Sequence, residues 1–151
     1  MAQPTQRQLL GSIDQFLPPD KRGRPKQFYA YQAIFNPIAA GATTPVTTSI
    51  DNDSDFLVMA INRTITDTLQ TTELAFGAFT IQLQYTGAGS TFFQVADHLE
   101  NVAGNGEEPG QLFYPFMVPG GASLITTLAN LDAVNSRVVR LSYPGVKVYR
   151  E

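Results

Sequence analysis

Between Ala78 and Thr86 apolar and polar residues alternate without a break. Phe79, Ile81, Leu83 and Tyr85 fall on one side, and Thr80, Gln82, Gln84 and Thr86 on the other. A period of two is that of a strand with one buried face. Further runs rich in β-branched and aromatic residues span Phe28–Phe35, Thr43–Ile50, Phe56–Thr66, Thr91–Val95, Leu112–Val118, Ser123–Asn130 and Arg137–Tyr149, separated by Gly, Pro, Asn and Asp. The last of these is expected to bend or break at Pro144-Gly145, because proline removes a ladder donor. About eight antiparallel strands in one domain bury their faces as a sandwich or as a closed barrel. The uneven connections favour an all-β, jelly-roll-like antiparallel β-sandwich. The longest stretch of low strand propensity runs from Val95 to Gly110, with a helical turn expected near Asp97-His98-Leu99-Glu100 and then a turn-rich Gly104–Gly110.

The first 27 residues read differently. Leu9, Leu10, Ile13, Phe16 and Leu17 recur at helical spacing, enough for about two turns, and Pro18-Pro19 stops the helix. Asp20-Lys21-Arg22-Gly23-Arg24-Pro25-Lys26 follows with no apolar residue, so it is expected to be an exposed tether or a strip that orders on contact with something else. This segment holds five basic residues against two acidic ones, a net of +3, and leaves −6 on the rest of a chain whose total is −3. The expected organisation is a basic N-terminal arm over residues 1–27 and a β body over residues 28–151. The arm's candidate partner-binding residues are Leu9, Leu10, Ile13 and Phe16 for an apolar groove, and Lys21, Arg22, Arg24 and Lys26 for acidic side chains.

Composition narrows the chemistry. There is no cysteine and one histidine, so thiolate chemistry, disulfides and multi-histidine metal sites have nothing to work with. Asp51-Asn52-Asp53-Ser54-Asp55 begins like a calcium loop, but Phe56 and Asn62 stand where the glycine and the bidentate glutamate belong, so an acidic turn is expected. Gly87-Ala88-Gly89-Ser90 lacks the Lys-Ser/Thr pair of a phosphate loop. His98 beside Asp97 has no nucleophile near it in sequence, and Glu107-Glu108 sit in a turn rather than across a cleft. No catalytic residue, metal site or cofactor is expected. No apolar run reaches the length of a membrane span, and the start of the chain lacks a signal core, so a protein made and kept in a cytoplasm is expected, without a membrane or a specific nucleic acid as partner.

The ten Phe and six Tyr cluster in Phe28-Tyr29-Ala30-Tyr31, Thr91-Phe92-Phe93 and Leu112-Phe113-Tyr114-Pro115-Phe116. Neighbouring residues of a strand point to opposite faces, so one of Phe92 and Phe93, and one of Phe113 and Tyr114, faces away from the inner side and needs cover. These four are the candidates for self-association. Tyr85, Phe92, Phe93 and Tyr114 are also the candidates for a sugar-stacking platform, the alternative of a carbohydrate-binding module.

Phe79–Tyr85, Asn101–Gly106 ahead of Pro109, Phe113–Pro119, Leu128–Leu131, and Val138–Leu141 ahead of Gly145-Val146-Lys147, all between Phe56 and Tyr149, resemble segments of small virion structural proteins of tailed bacteriophages, of the head decoration (cement) or minor capsid type. The resemblance implies a non-enzymatic β-sandwich on the capsid surface of a virion, made in the host cytoplasm, with the major capsid protein and copies of itself as partners. A homotrimer is the expected unit. The alternative within the particle is a head-tail connector, collar or tail component. The arm lies outside the resembling segments.

Overall fold

The computed structural model describes residues 12–75, 77–86, 96–105 and 110–150, with the side chains of Gln111, Phe113 and Tyr114 outside that description. Among the described residues nine strands run as β1 (Lys26–Ile38), β2 (Thr43–Ser49), β3 (Ser54–Thr66), β4 (Glu73–Leu74), β5 (Phe79–Tyr85), β6 (Asp97–His98), β7 (Gly110–Val118), β8 (Ser123–Asn130) and β9 (Arg137–Tyr149). The expected strand over Thr91–Val95 lies outside the described residues. So do Gly87–Ser90 and Glu107-Glu108. The helical turn expected near residue 97 starts two residues later, as α1 (Leu99–Val102), after Asp97 and His98 have paired with β5. Among the described residues, no helix is long and apolar enough to cross a membrane.

The first sheet has the order β1-β9-β3, with β7 and then β4 sharing the far edge of β3; the second has the order β2-β8-β5-β6. All strand pairs are antiparallel. This order is that of a jelly roll, two Greek keys whose strands cross back and forth between two packed sheets. Phe35, Phe56, Ile61, Ile65, Leu141 and Tyr143 from the first sheet meet Phe79, Ile81, Leu83, Leu124 and Leu128 from the second in one continuous core. The hydroxyls of Tyr143 and Thr126 hydrogen-bond across that core, and burial raises the Tyr143 phenol well above its usual range.

Two bulges decide which residues enter the core. Opposite β9, β3 gains one residue between Val58 and Asn62, so Phe56 and Val58 point inward before it and Ile61 and Ile65 after it. Phe56–Ile61 is therefore an unbroken apolar run, with Leu57 and Met59 projecting from the sheet's outer face. In β1 the extra residue lies between Phe35 and Ile38 and moves the inward set from Tyr31, Ala33 and Phe35 to Ile38.

Of the bend or break expected at Pro144-Gly145, no break occurs, and β9 continues through both residues. Pro144 faces Ala30 of β1, and on its other side the β3 bulge has already interrupted the ladder. The missing N–H therefore costs no bond to β3. A Cβ on Gly145 would lie 2.0 Å from the Leu57 carbonyl oxygen, so only glycine lets β9 and β3 approach so closely here.

Candidate interaction surfaces

The outer face of the first sheet is covered at one end by the arm. Leu57 on β3 with Val146 and Val148 on β9 form an apolar patch, flanked by Met59 and Met117, and Ile13 and Leu17 sit on it at 4% and 2% exposure. The earlier part of the helix expected from Leu9 lies outside the described residues; Ile13 opens a 3-10 turn over Ile13–Phe16 and Leu17 follows it in extended backbone. Pro18 and Pro19 end it, and a second 3-10 turn over Pro19–Lys21 leads away. Phe16, between the two buried residues, is 44% exposed. Leu9 and Leu10 lie outside the described residues.

The basic strip over residues 20–26, expected as an exposed tether or a strip that orders on contact, is tied to other parts of the same chain. Lys21 pairs with Asp55, which is buried on β3 and also accepts the Gly120 N–H at 2.8 Å, with Arg150 at 3.8 Å. Burial pushes the Asp55 carboxyl up. The hydrogen bonds from Lys21 and Gly120, with the charges of Lys21 and Arg150, outweigh that and hold it below its ordinary value. Lys26 meets Asp14 at 2.7 Å, and this bond, with Gly23 N–H and the charges of Lys26 and Arg22, lowers the Asp14 carboxyl too. Arg22 donates through Nε to the Asp14 and Leu17 carbonyls, and Arg24 donates to the Asp20 and Arg150 carbonyls. Gly23, at φ +75°, makes the turn that carries the strip from the 3-10 turns into β1. Of the eight arm candidates, the structure thus buries Ile13, pairs Lys21 and Lys26 with carboxylates of the same chain, and leaves Phe16 and Arg22 facing solvent.

The second sheet is a contrast in charge. No charged residue occurs anywhere in β2, β5 or β8. Its outer face is laid out in register, with Thr43, Ala129 and Thr80 in one row, Pro45, Thr127 and Gln82 in the next, and Thr47, Ile125 and Gln84 in the third. Hydroxyls, amides and apolar groups make up this surface. The neighbouring edge continues it, because there is no charged residue from Gln27 to Ile50, a stretch that includes most of β1 and all of β2.

The residues singled out for chemistry disperse. Asp51 pairs with Lys147, Asp53 accepts the Ser54 hydroxyl, and Asp55 turns to Lys21 and Gly120. Among the described residues, no three metal-ligating side chains converge. Lys147 is carried inward by β9 and lies 4.0 Å from the Tyr29 ring centroid; burial lowers its pKa, but Asp51 and the tyrosines raise it further. Asp97 accepts the His98 N–H and the Asn101 amide. Two open clefts of about 260 and 250 Å³ are lined by Gly77, Phe79, Asn130, Asp132 and Arg137 and by Gln32, Asn62, Thr64, Arg140 and Ser142. Arg63 borders the second but points inward, fastening α1 and β4 through the Ala103 and Ala75 carbonyls.

Of the aromatic candidates, Phe92 and Phe93 lie outside the described residues, as do the side chains of Phe113 and Tyr114. Tyr85 is half-buried and packs against the inter-sheet core. Sequence reasoning missed Asp55 and Lys147, and the signal was available, since each is a charge bordering or inside an apolar strand run. Comparison of the chain with protein-family models, curated proteins and solved structures found no match.

Proposed function

We propose that this protein is a non-enzymatic structural subunit of a virion, a decoration protein that sits on a phage head and reinforces the shell by contacts with the major capsid protein and with copies of itself. The observation that supports the reading is the charge-free outer face of β2, β8 and β5. Interface centres are depleted of charged residues, because each buried charge must find a partner or bear its desolvation. An uncharged face of hydroxyls and amides spread over three strands suits repeated contact over area. The jelly-roll order and the sequence resemblance agree with it.

The arm has a divided role in this reading. Ile13, Lys21 and Lys26 fix it to the body, while Phe16 and Arg22 face outward as its contacts with the shell. The test is the amount of this chain in purified particles, by quantitative mass spectrometry against the major capsid protein. Decoration predicts copies of the same order as the capsid protein. A few copies per particle would move the protein to the neck or tail, and none would end the structural reading.

A further inference from the structure

The sheet edges of this sandwich are not treated alike. β4 and β6 are two residues long, β2 carries Pro45, and β7 carries Pro115 and a register shift. These are ordinary ways of blunting an edge against other chains. β1 is an edge strand of 13 residues, and Gln27–Phe35 holds no proline, no charge and no bulge.

Its free hydrogen-bonding groups can be assigned. Tyr149 N–H donates to the Pro25 carbonyl at 3.0 Å, which makes that pair a bonded one. Bonded pairs recur at every second residue of an antiparallel ladder. Gln27, Tyr29 and Tyr31 therefore bond to β9, while Lys26, Phe28, Ala30 and Gln32 turn N–H and C=O away from it. Two facts agree with this phase: Pro144, with no N–H, faces Ala30, and Thr48 of β2 donates to the Gln32 carbonyl at 3.3 Å from outside the sheet. β2 thus closes off the edge at Gln32. From Lys26 to Ala30 no described residue pairs with it, and Phe28 stands beside it at 40% exposure.

We infer that β1 pairs antiparallel with β1 of a second copy about a two-fold axis near Phe28, joining two first sheets into one. The choice of a second copy rests on charge. Two-fold pairing sets the same short segment against itself, so any charge within it would meet its own kind, and from Gln27 to Ile50 there is none. Lys26 at the margin is already neutralised by Asp14. Pairing of this kind closes at two copies, in place of the homotrimer expected from the sequence, and it is independent of what covers the outer face of the second sheet.

The absence of cysteine makes a direct test possible. Single cysteines are placed in turn at Gln27, Phe28, Tyr29 and Ala30, with Thr127→Cys as a control on the other sheet, and the native full-length protein is oxidised mildly. Residues facing each other across an antiparallel pair lie within disulfide reach. Cross-linked dimer is expected from at least one β1 position and not from Thr127→Cys. Light scattering of the unmodified protein is expected to give twice the 16.5 kDa of one chain. In Phe28→Lys with Ala30→Lys, self-affinity is expected to fall by about tenfold or more. A monomer at high concentration, or a trimer, with no β1 cysteine cross-linking, overturns the proposal.

Discussion

The outer faces of the two sheets solve the same problem in opposite ways. On the first sheet, Leu57, Val146 and Val148 form a patch too apolar for water, and the chain covers it with its own N-terminal segment, fixed by Lys21–Asp55 and Lys26–Asp14. On the second sheet the outward positions of β2, β8 and β5 hold threonine, glutamine, serine and small apolar residues, which tolerate water and tolerate a neighbour equally well. One face is completed inside the molecule, with charge used as the fastener. The other is left without charge. A basic segment is therefore not by itself a contact surface, and an uncharged sheet face can be one.

The comparison is broken most forcefully at Leu57. If the covered face is true core, Leu57→Ala costs about 3 kcal/mol, as much as Leu83→Ala between the sheets, measured by chemical denaturation. A loss under about 1 kcal/mol would mean that the arm does not bury it. Asp55→Asn comes next, at about 2 kcal/mol, because the part-buried Lys21 and Gly120 hydrogen bonds lose their charged acceptor. In a double-mutant cycle with Lys21→Met the two losses are expected to be less than additive.

A smaller effect is expected with pH. Asp55 and Asp14 both titrate below their ordinary value of 3.8 in the folded chain, so the unfolded chain binds protons first as the medium is acidified. Their contribution is complete above that value and is lost as pH falls through the depressed ones. Thermal unfolding followed below pH 4 is expected to show a shallower decline in Asp55→Asn than in the unmodified protein. Smallest of all is the effect of charging the second sheet. Thr127→Lys is expected to keep stability within about 0.5 kcal/mol, since the side chain leaves an outward-facing position.

The strands were largely legible because a half-buried strand writes its period into the sequence, as Phe79–Tyr85 does. What escaped was set by distance or by irregularity. The continuous Phe56–Ile61 run has no period of two, since a bulge reverses the inward side and the arm buries the outward one. Pro144 reads as a bend or break in β9, because the bulge in β3 that makes it harmless lies more than eighty residues earlier in the chain. The partner of the basic strip is not legible in the sequence because Asp55 stands 34 residues from Lys21. The surface argument was half legible: the uncharged outer side of β5 could be read from its alternation, but its registration with β8 and β2 into one face requires the fold.

The most direct measurement of the central claim is the occupancy of phage particles by a Gln82→Lys, Thr127→Lys double variant, compared with the unmodified protein. The two positions face each other across β5 and β8 on the charge-free face. The account predicts a folded protein of nearly unchanged stability that no longer stays on the particle. Full occupancy by the folded variant would contradict it, because the face would then contact nothing that a pair of charges disturbs.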